Sequence, residues 1–314
     1  RGGDWSSDVC SSDLKASKDE LQDQTNAIAQ MLNHTEVVVT SQHNKTQRVI
    51  IDAIRKAGIY TYITGDLDDS PELCLVEVAK DYEDRLKAKV EDDILRKLHY
   101  PTMSDRFDEI SEIHGKTFDW IFQYRKGVRC NFVEWLRAGT GIYWVNGKAG
   151  SGKSTLMRYI CEDIRADRAL KLWTGEQPLG IASHFFWIDG VTDQKSQSGL
   201  LRSLLYQILS QYTQLIPLVL PSLWASRYSQ ARDASYKTSQ RETLSLSRLK
   251  EAFRILVDQK SIDLKICLFV DGLDEYQGNH GEIVDLFEDV TRSATFKVCV
   301  SSRPLLVFEE VFGK

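Results

Sequence analysis

The chain has 314 residues, 42% of them hydrophobic and 27% charged, with a net charge of −5. That length exceeds one typical domain, and the balance is that of an ordinary soluble globular protein. Mild acidity leaves no overall basic footprint for nucleic acid, and the longest apolar stretch, Gln214 to Trp224, is broken by Pro217 and Pro221 and is too short to span a bilayer.

The opening run RGGDWSSDVCSSDL, residues 1–14, has no apolar periodicity and resembles a translated sequencing adapter. Setting it aside removes one arginine and three aspartates and leaves a net charge of −3, so the charge argument stands. No secretory pattern opens the sequence. Six scattered cysteines (Cys10, Cys74, Cys130, Cys161, Cys267, Cys299) form no C-x-x-C pair and read as reduced thiols of a cytoplasmic protein.

From Lys15 to Tyr100 the pattern is helical. The clearest helix starts at Ser70-Pro71, a cap residue followed by proline at the first helical position. Leu75, Ala79, Tyr82, Leu86, Val90, Ile94 and Leu98 form its apolar stripe, a packing face toward the rest of the protein or a partner helix. Tyr100-Pro101 ends it. A second helix is predicted from about Asp105 to Tyr124, with Phe107, Ile110, Ile113, Thr117, Phe118, Ile121 and Phe122 on one side, and Phe132 to Leu136 makes a short third piece.

After Gly139-Thr140-Gly141 the period changes. Ile142 to Val145, Ile181 to Ile188, Lys265 to Val270 and Phe296 to Ser301 read as strands, with helical patterns such as Leu200 to Leu209 and Leu249 to Leu256 between them. Alternating strands and helices predict an α/β fold, a parallel sheet flanked by helices and preceded by a mostly helical N-terminal segment. Ser226 to Ser247, polar and rich in Ser, Arg and Thr, reads as a surface loop or a poorly ordered insertion.

Gly147-Lys148-Ala149-Gly150-Ser151-Gly152-Lys153-Ser154 matches G-x-x-x-x-G-K-[ST], and Thr155 follows. In such a loop consecutive amides point at phosphate oxygens, and glycines permit the dihedrals and the close approach. The helix that follows presents unpaired amides and its dipole to the anion. Lys153 is placed to reach the β- and γ-phosphates and the Ser154 hydroxyl to ligate Mg²⁺. Leu156, Met157, Ile160 and Ile164 form the predicted inner face of that helix.

Lys265 to Val270 is a buried-strand pattern that ends in Asp271, and ligands of open parallel sheets sit at the carboxyl ends of strands. Asp271 is therefore the candidate magnesium-binding carboxylate. Asp274 and Glu275 lie just beyond, and position alone does not choose which of them activates water. Arg303 follows the last predicted strand and is a candidate γ-phosphate contact.

Three segments, GIYWVNGKAGSGKSTLMRYI, SHFFWIDG with QKSQSGLLRSLLYQIL, and LFVDGLDEY with FKVCVSSRP, together resemble the NACHT family of STAND-type signal-transduction P-loop NTPases. The fungal, NLR-like branch and the nephrocystin-type N-terminal domain are the most similar, with HGKTFDWIF as the lead-in. The resemblance divides the chain into 1–14 (the adapter-like run), 15–104 (helical N-terminal region), 105–140 (helical lead-in) and 141–314 (the NACHT core, short of one strand beside the P-loop strand). It implies an extra strand between the P-loop strand and the Asp271 strand, for which Ile181 to Ile188 is the segment in order. Asp271, Asp274 and Glu275 match the family's acidic motif, and Arg303 its sensor arginine.

The resemblance further implies ATP and ADP with Mg²⁺ as ligands, and a switch between a closed ADP state and an ATP state that self-associates and recruits effectors. So short a core is expected to fold poorly or to bind nucleotide weakly by itself. The residues alone leave open adenine against guanine. They also leave two other functions open, a fast-turnover P-loop ATPase or kinase and a non-hydrolysing scaffold.

Overall fold

The computed structural model describes residues 71–111, 117–123, 131–232 and 244–313, with side chains from Lys80 onward in the first segment. The adapter-like run, the helical pattern of residues 15–70, and Cys10, Cys74 and Cys130 lie outside the described residues or side chains. The chain divides into two compact units, Arg1–Arg85 and Leu86–Lys314. In the first, the described part is the start of helix α1 (Pro71–Leu98), where Tyr82 is exposed at 48% rather than packed as its stripe predicts. Below it the stripe holds, and Leu86, Val90, Ile94 and Leu98 are all buried in the second unit.

The second unit continues with α2 (Asp105–Glu109), a 3-10 turn (Asp119–Phe122), α3 (Phe132–Ala138), β1 (Gly141–Asn146), α4 (Lys153–Glu162), α5 (Ile164–Thr174) and β2 (Leu179–Phe185). Then come α6 (Gln197–Gln211), α7 (Pro221–Ala231), α8 (Leu246–Asp258), β3 (Lys265–Asp271), α9 (His280–Thr291), β4 (Phe296–Ser302) and α10 (Leu306–Phe312). The four strands form one parallel sheet in the order β1-β4-β3-β2. The fold is thus α/β and P-loop-like, as the alternating pattern predicts. The strand between β1 and β3 is β4, however, and the Ile181 segment lies on the far side of β3.

Side chains alternate across the sheet with the period of a strand. Ile266, Leu268 and Val270 of β3 and Phe296, Val298 and Val300 of β4 join a core with α6, α8, α9 and the end of α1. Cys267, Phe269 and Cys299 face the other way, into a second core with Leu156, Met157 and Ile160 of α4 and with Trp135 and Leu136 of α3. By the same alternation Asp271 and Ser301 emerge on the α4 side. Parity alone therefore turns the acid toward the glycine-rich loop.

Several boundaries differ from the sequence pattern. The predicted Asp105–Tyr124 helix stops after Glu109, because Ile110 is extended (φ −63°, ψ 121°). Phe107, Ile110, Phe118, Ile121 and Phe122 still gather at one core, from two separate short elements rather than from one helix face. α4 ends at Glu162, where Asp163 caps a new helix by accepting from Arg165 N, so Ile164 is 57% exposed and not on the inner face. β2 ends at Phe185, with its last ladder bond from Phe186 N to Asp271 O, and Ile188 lies in the loop beyond. Residues 226–231 continue α7 and Ser247 lies in α8, so the ends of the polar stretch are helical, while its middle, residues 233–243, lies outside the described residues. Among the described residues, no helix is long and apolar enough to cross a membrane.

A buried polar chain ties the N-terminal segment to the sheet. Tyr100 Oη lies 3.0 Å from Ser203 Oγ, which lies 3.2 Å from His184 Nδ1 on β2. Burial pushes the His184 imidazole down from 6.5 to about 3. Between those values the unfolded chain binds a proton that the folded chain refuses, so stability falls as pH drops through that window. The expected loss is about 2–3 kcal/mol over the first two pH units below the unfolded value. Thermal unfolding of wild type and His184→Phe across this range checks it. The variant's midpoint should fall less steeply with acid, and parallel slopes would refute the assignment.

Candidate functional site

β1 delivers the chain to the loop between Gly147 and Gly152. The loop starts where Gly147 N bonds Ser302 O at 3.3 Å, and it turns at Ser151 N to Lys148 O, also 3.3 Å. Gly150 (φ +69°) and Gly152 (φ +84°) both occupy the left-handed region, which explains the residue type at those two positions. A Cβ on Gly147 would come within 2.7 Å of Ser151 Oγ, so a side chain there would have to displace that hydroxyl. Lys148, Ala149 and Ser151 complete it.

Helix α4 then opens at Lys153, with Ser154 and Thr155 in its first turn. The Lys153 ammonium folds back over the loop and donates to Gly147 O (2.8 Å) and Lys148 O (3.0 Å). These carbonyls hold the cation at the mouth of the curl.

Asp271 ends β3 and is 1% exposed. Its Oδ1 accepts from the Ser301 hydroxyl, which in turn accepts from Gly272 N at 3.1 Å. Its Oδ2 is buried without a hydrogen-bond partner. Burial pushes this carboxyl up to about 6. The Ser301 and Ser154 hydroxyls pull it down, the Glu275 charge raises it and the Arg106 guanidinium lowers it. The Ser154 hydroxyl therefore stands beside Asp271, and a carboxylate oxygen and a hydroxyl are hard donors suited to Mg²⁺. Among the described residues no three His, Cys, Asp or Glu side chains converge as a metal cage. Asp271 and Ser154 supply two oxygen donors, a set that fits Mg²⁺ only with further oxygens from elsewhere.

Gly272, at φ +69°, turns the chain out of β3 and into a 3-10 turn, Leu273–Glu275. The two carboxylates of that turn point to different partners. Asp274 accepts from Arg303 N (2.9 Å) and pairs with Arg303 Nε (2.8 Å), its side chain buried while that of Arg303 is half exposed. Glu275 Oε2 accepts from Ile188 N (2.9 Å), on the loop after β2. Because β4 lies between β1 and β3, Arg303 emerges between the glycine-rich loop and the acidic turn.

Two residues of this region carry no signal in the pattern of motifs. Ser301 was legible only as a strand residue, although its parity with Asp271 would have revealed it. Arg106 sits in a segment whose periodicity suggested one long helix with its apolar side inward.

The fold and loop define a P-loop-like α/β module with an acidic strand end. The sequence model described as Nephrocystin 3, N-terminal, matches residues 116–303, more than half of the chain. The protein belongs to that NACHT-associated family. No curated protein and no solved structure matches it.

Proposed function

We propose that this protein is the nucleotide-operated module of a signal-transduction NTPase, binding ATP or ADP with Mg²⁺ and hydrolysing slowly. The observation that carries the reading is the buried, unpartnered Oδ2 of Asp271 beside Ser154, at the foot of a glycine-rich loop capped by a lysine. An unpaired buried oxygen is costly unless something binds it.

In this reading the loop amides from Gly147 to Thr155 hold the phosphates, and Lys153 exchanges its two carbonyls for phosphate oxygens. Ser154 and Asp271 hold the cation, which when bound neutralises charge developing on the transferred phosphoryl group. Asp274 is committed to Arg303, so Glu275 is left to orient water, with Ile188 N fixing its carboxylate.

A triphosphate competes with Asp274 for Arg303, which gives the fold two arrangements with different preferences for di- and triphosphate. The open arrangement is the one that self-associates. Moving such a switch from 1:99 to 99:1 takes roughly 10⁴-fold preferential binding. The test is oligomeric state by light scattering, together with turnover, in ADP and in a non-hydrolysable ATP analogue. Assembly in the analogue alone, with slow turnover in ATP, is expected. Several turnovers per second without assembly would end this reading.

A further inference from the structure

The lead-in helix α2 brings a second arginine to the carboxyl ends of the strands. Phe107 packs edge-on against Phe185, with ring centroids 5.1 Å apart, and Phe185 is the register partner of Asp271. On its other side α2 is held by the P-loop helix. Arg158 of α4 donates to Asp108 O (3.3 Å) and to Ile110 O, and its guanidinium lies 5.2 Å over the Phe107 ring. Thus α2 is fixed between α4 and the end of β2, the strand that pairs with the one Asp271 ends.

Arg106 precedes Phe107 on this helix. Its guanidinium lies 5.5 Å over the ring of Trp187, two residues beyond the end of β2. Its Nε is buried with no hydrogen-bond partner. Its charge lowers the Asp271 carboxyl, a smaller influence there than burial or the Ser301 and Ser154 hydroxyls. Two arginines therefore flank the β3 end from opposite neighbours in the sheet, Arg303 after β4 and Arg106 beside β2. Arg303 commits its Nε to Asp274, whereas the Nε of Arg106 lacks an acceptor.

A buried guanidinium N–H beside the end of β2 and a buried carboxylate oxygen at the end of β3, both unpaired, call for something that binds each of them. A cation satisfies Asp271 but repels Arg106. A phosphate carrying that cation satisfies both.

We infer that Arg106 is a phosphate-binding residue of this site, donating to the terminal phosphate of a bound nucleoside triphosphate from the lead-in segment rather than from the sheet. The inference rests on the nucleotide-binding reading above. The competing role is a purely structural counter-ion for Asp271, which would not distinguish tri- from diphosphate.

The test compares wild type, Arg106→Met and Arg106→Lys as the full chain. It measures Kd for a non-hydrolysable ATP analogue and for ADP, both with Mg²⁺, by displacement of a fluorescent nucleotide. Arg106→Met should weaken the analogue about 10-fold or more and ADP less than about 3-fold. Arg106→Lys keeps charge but loses the planar fork, so a smaller loss, still confined to the analogue, is expected. Equal losses for the two nucleotides, or no loss, would overturn the inference. If Arg106→Met does not fold, as its melting curve would show, Arg106→Lys decides by the same criterion. Wild type that binds neither nucleotide at millimolar concentration defeats the parent reading and this one together. Wild type that binds, with an unchanged tri-to-diphosphate ratio in the variants, defeats this one alone.

Discussion

Lys153→Ala is expected to weaken nucleotide binding by about 100-fold or more while leaving the fold intact. The size follows from what the side chain is for. Its ammonium contacts no carboxylate among the described residues and donates to two carbonyls of its own loop, Gly147 O and Lys148 O. Those bonds are partly exposed, so their loss should cost at most about 1 kcal/mol of stability. A phosphate, by contrast, would lose its charge-assisted donor at the centre of the curl. Titration with a fluorescent ATP analogue, alongside a melting curve without nucleotide, separates the two effects. Near-normal affinity in a well-folded variant would remove Lys153 from the site.

Glu275→Gln should uncouple binding from hydrolysis. The amide that replaces the carboxylate would retain an oxygen to accept from Ile188 N, so the loop after β2 keeps its anchor, but it could no longer take a proton from water. Turnover should fall by about 100-fold or more, within the range typical of a lost general base, with affinity changed little. The triphosphate-bound assembly should then accumulate, as seen by light scattering in ATP. If turnover persists, water activation falls to Asp274, and the Arg303 pairing must open during the cycle.

Much of this was legible from residue order. A continuous apolar run from Ile266 to Val270, bounded by an acid, read as a buried strand ending in Asp271, and the face on which Asp271 emerges follows from parity once that strand is placed in the sheet. The glycines at 150 and 152 were predictable because their backbone lies where a Cβ is strained. Local pattern could not give the order of strands. Lys265–Asp271 and Phe296–Ser302 are both buried apolar runs, and nothing in either says which lies beside β1.

Helix ends were the other gap. The stripe through Ile164 continues the periodicity of α4, but Asp163 captures Arg165 N and starts a new helix with a different face. Similarly, Phe107 and Phe122 have helical spacing only in sequence. They reach one core from α2 and from the 3-10 turn, a tertiary effect that periodicity does not record. The early end of α2 also leaves Arg106 at the strand ends, a position that a helical stripe does not reveal.

The most direct test of the account is the magnesium dependence of nucleotide affinity in wild type and Asp271→Asn. Mg²⁺ should tighten binding of an ATP analogue by about 10-fold or more in wild type and by less than about 2-fold in the variant, with affinity in chelator alike for both. Equal magnesium dependence in the two proteins would mean that Asp271 does not hold the cation, and the site described here would have to be abandoned.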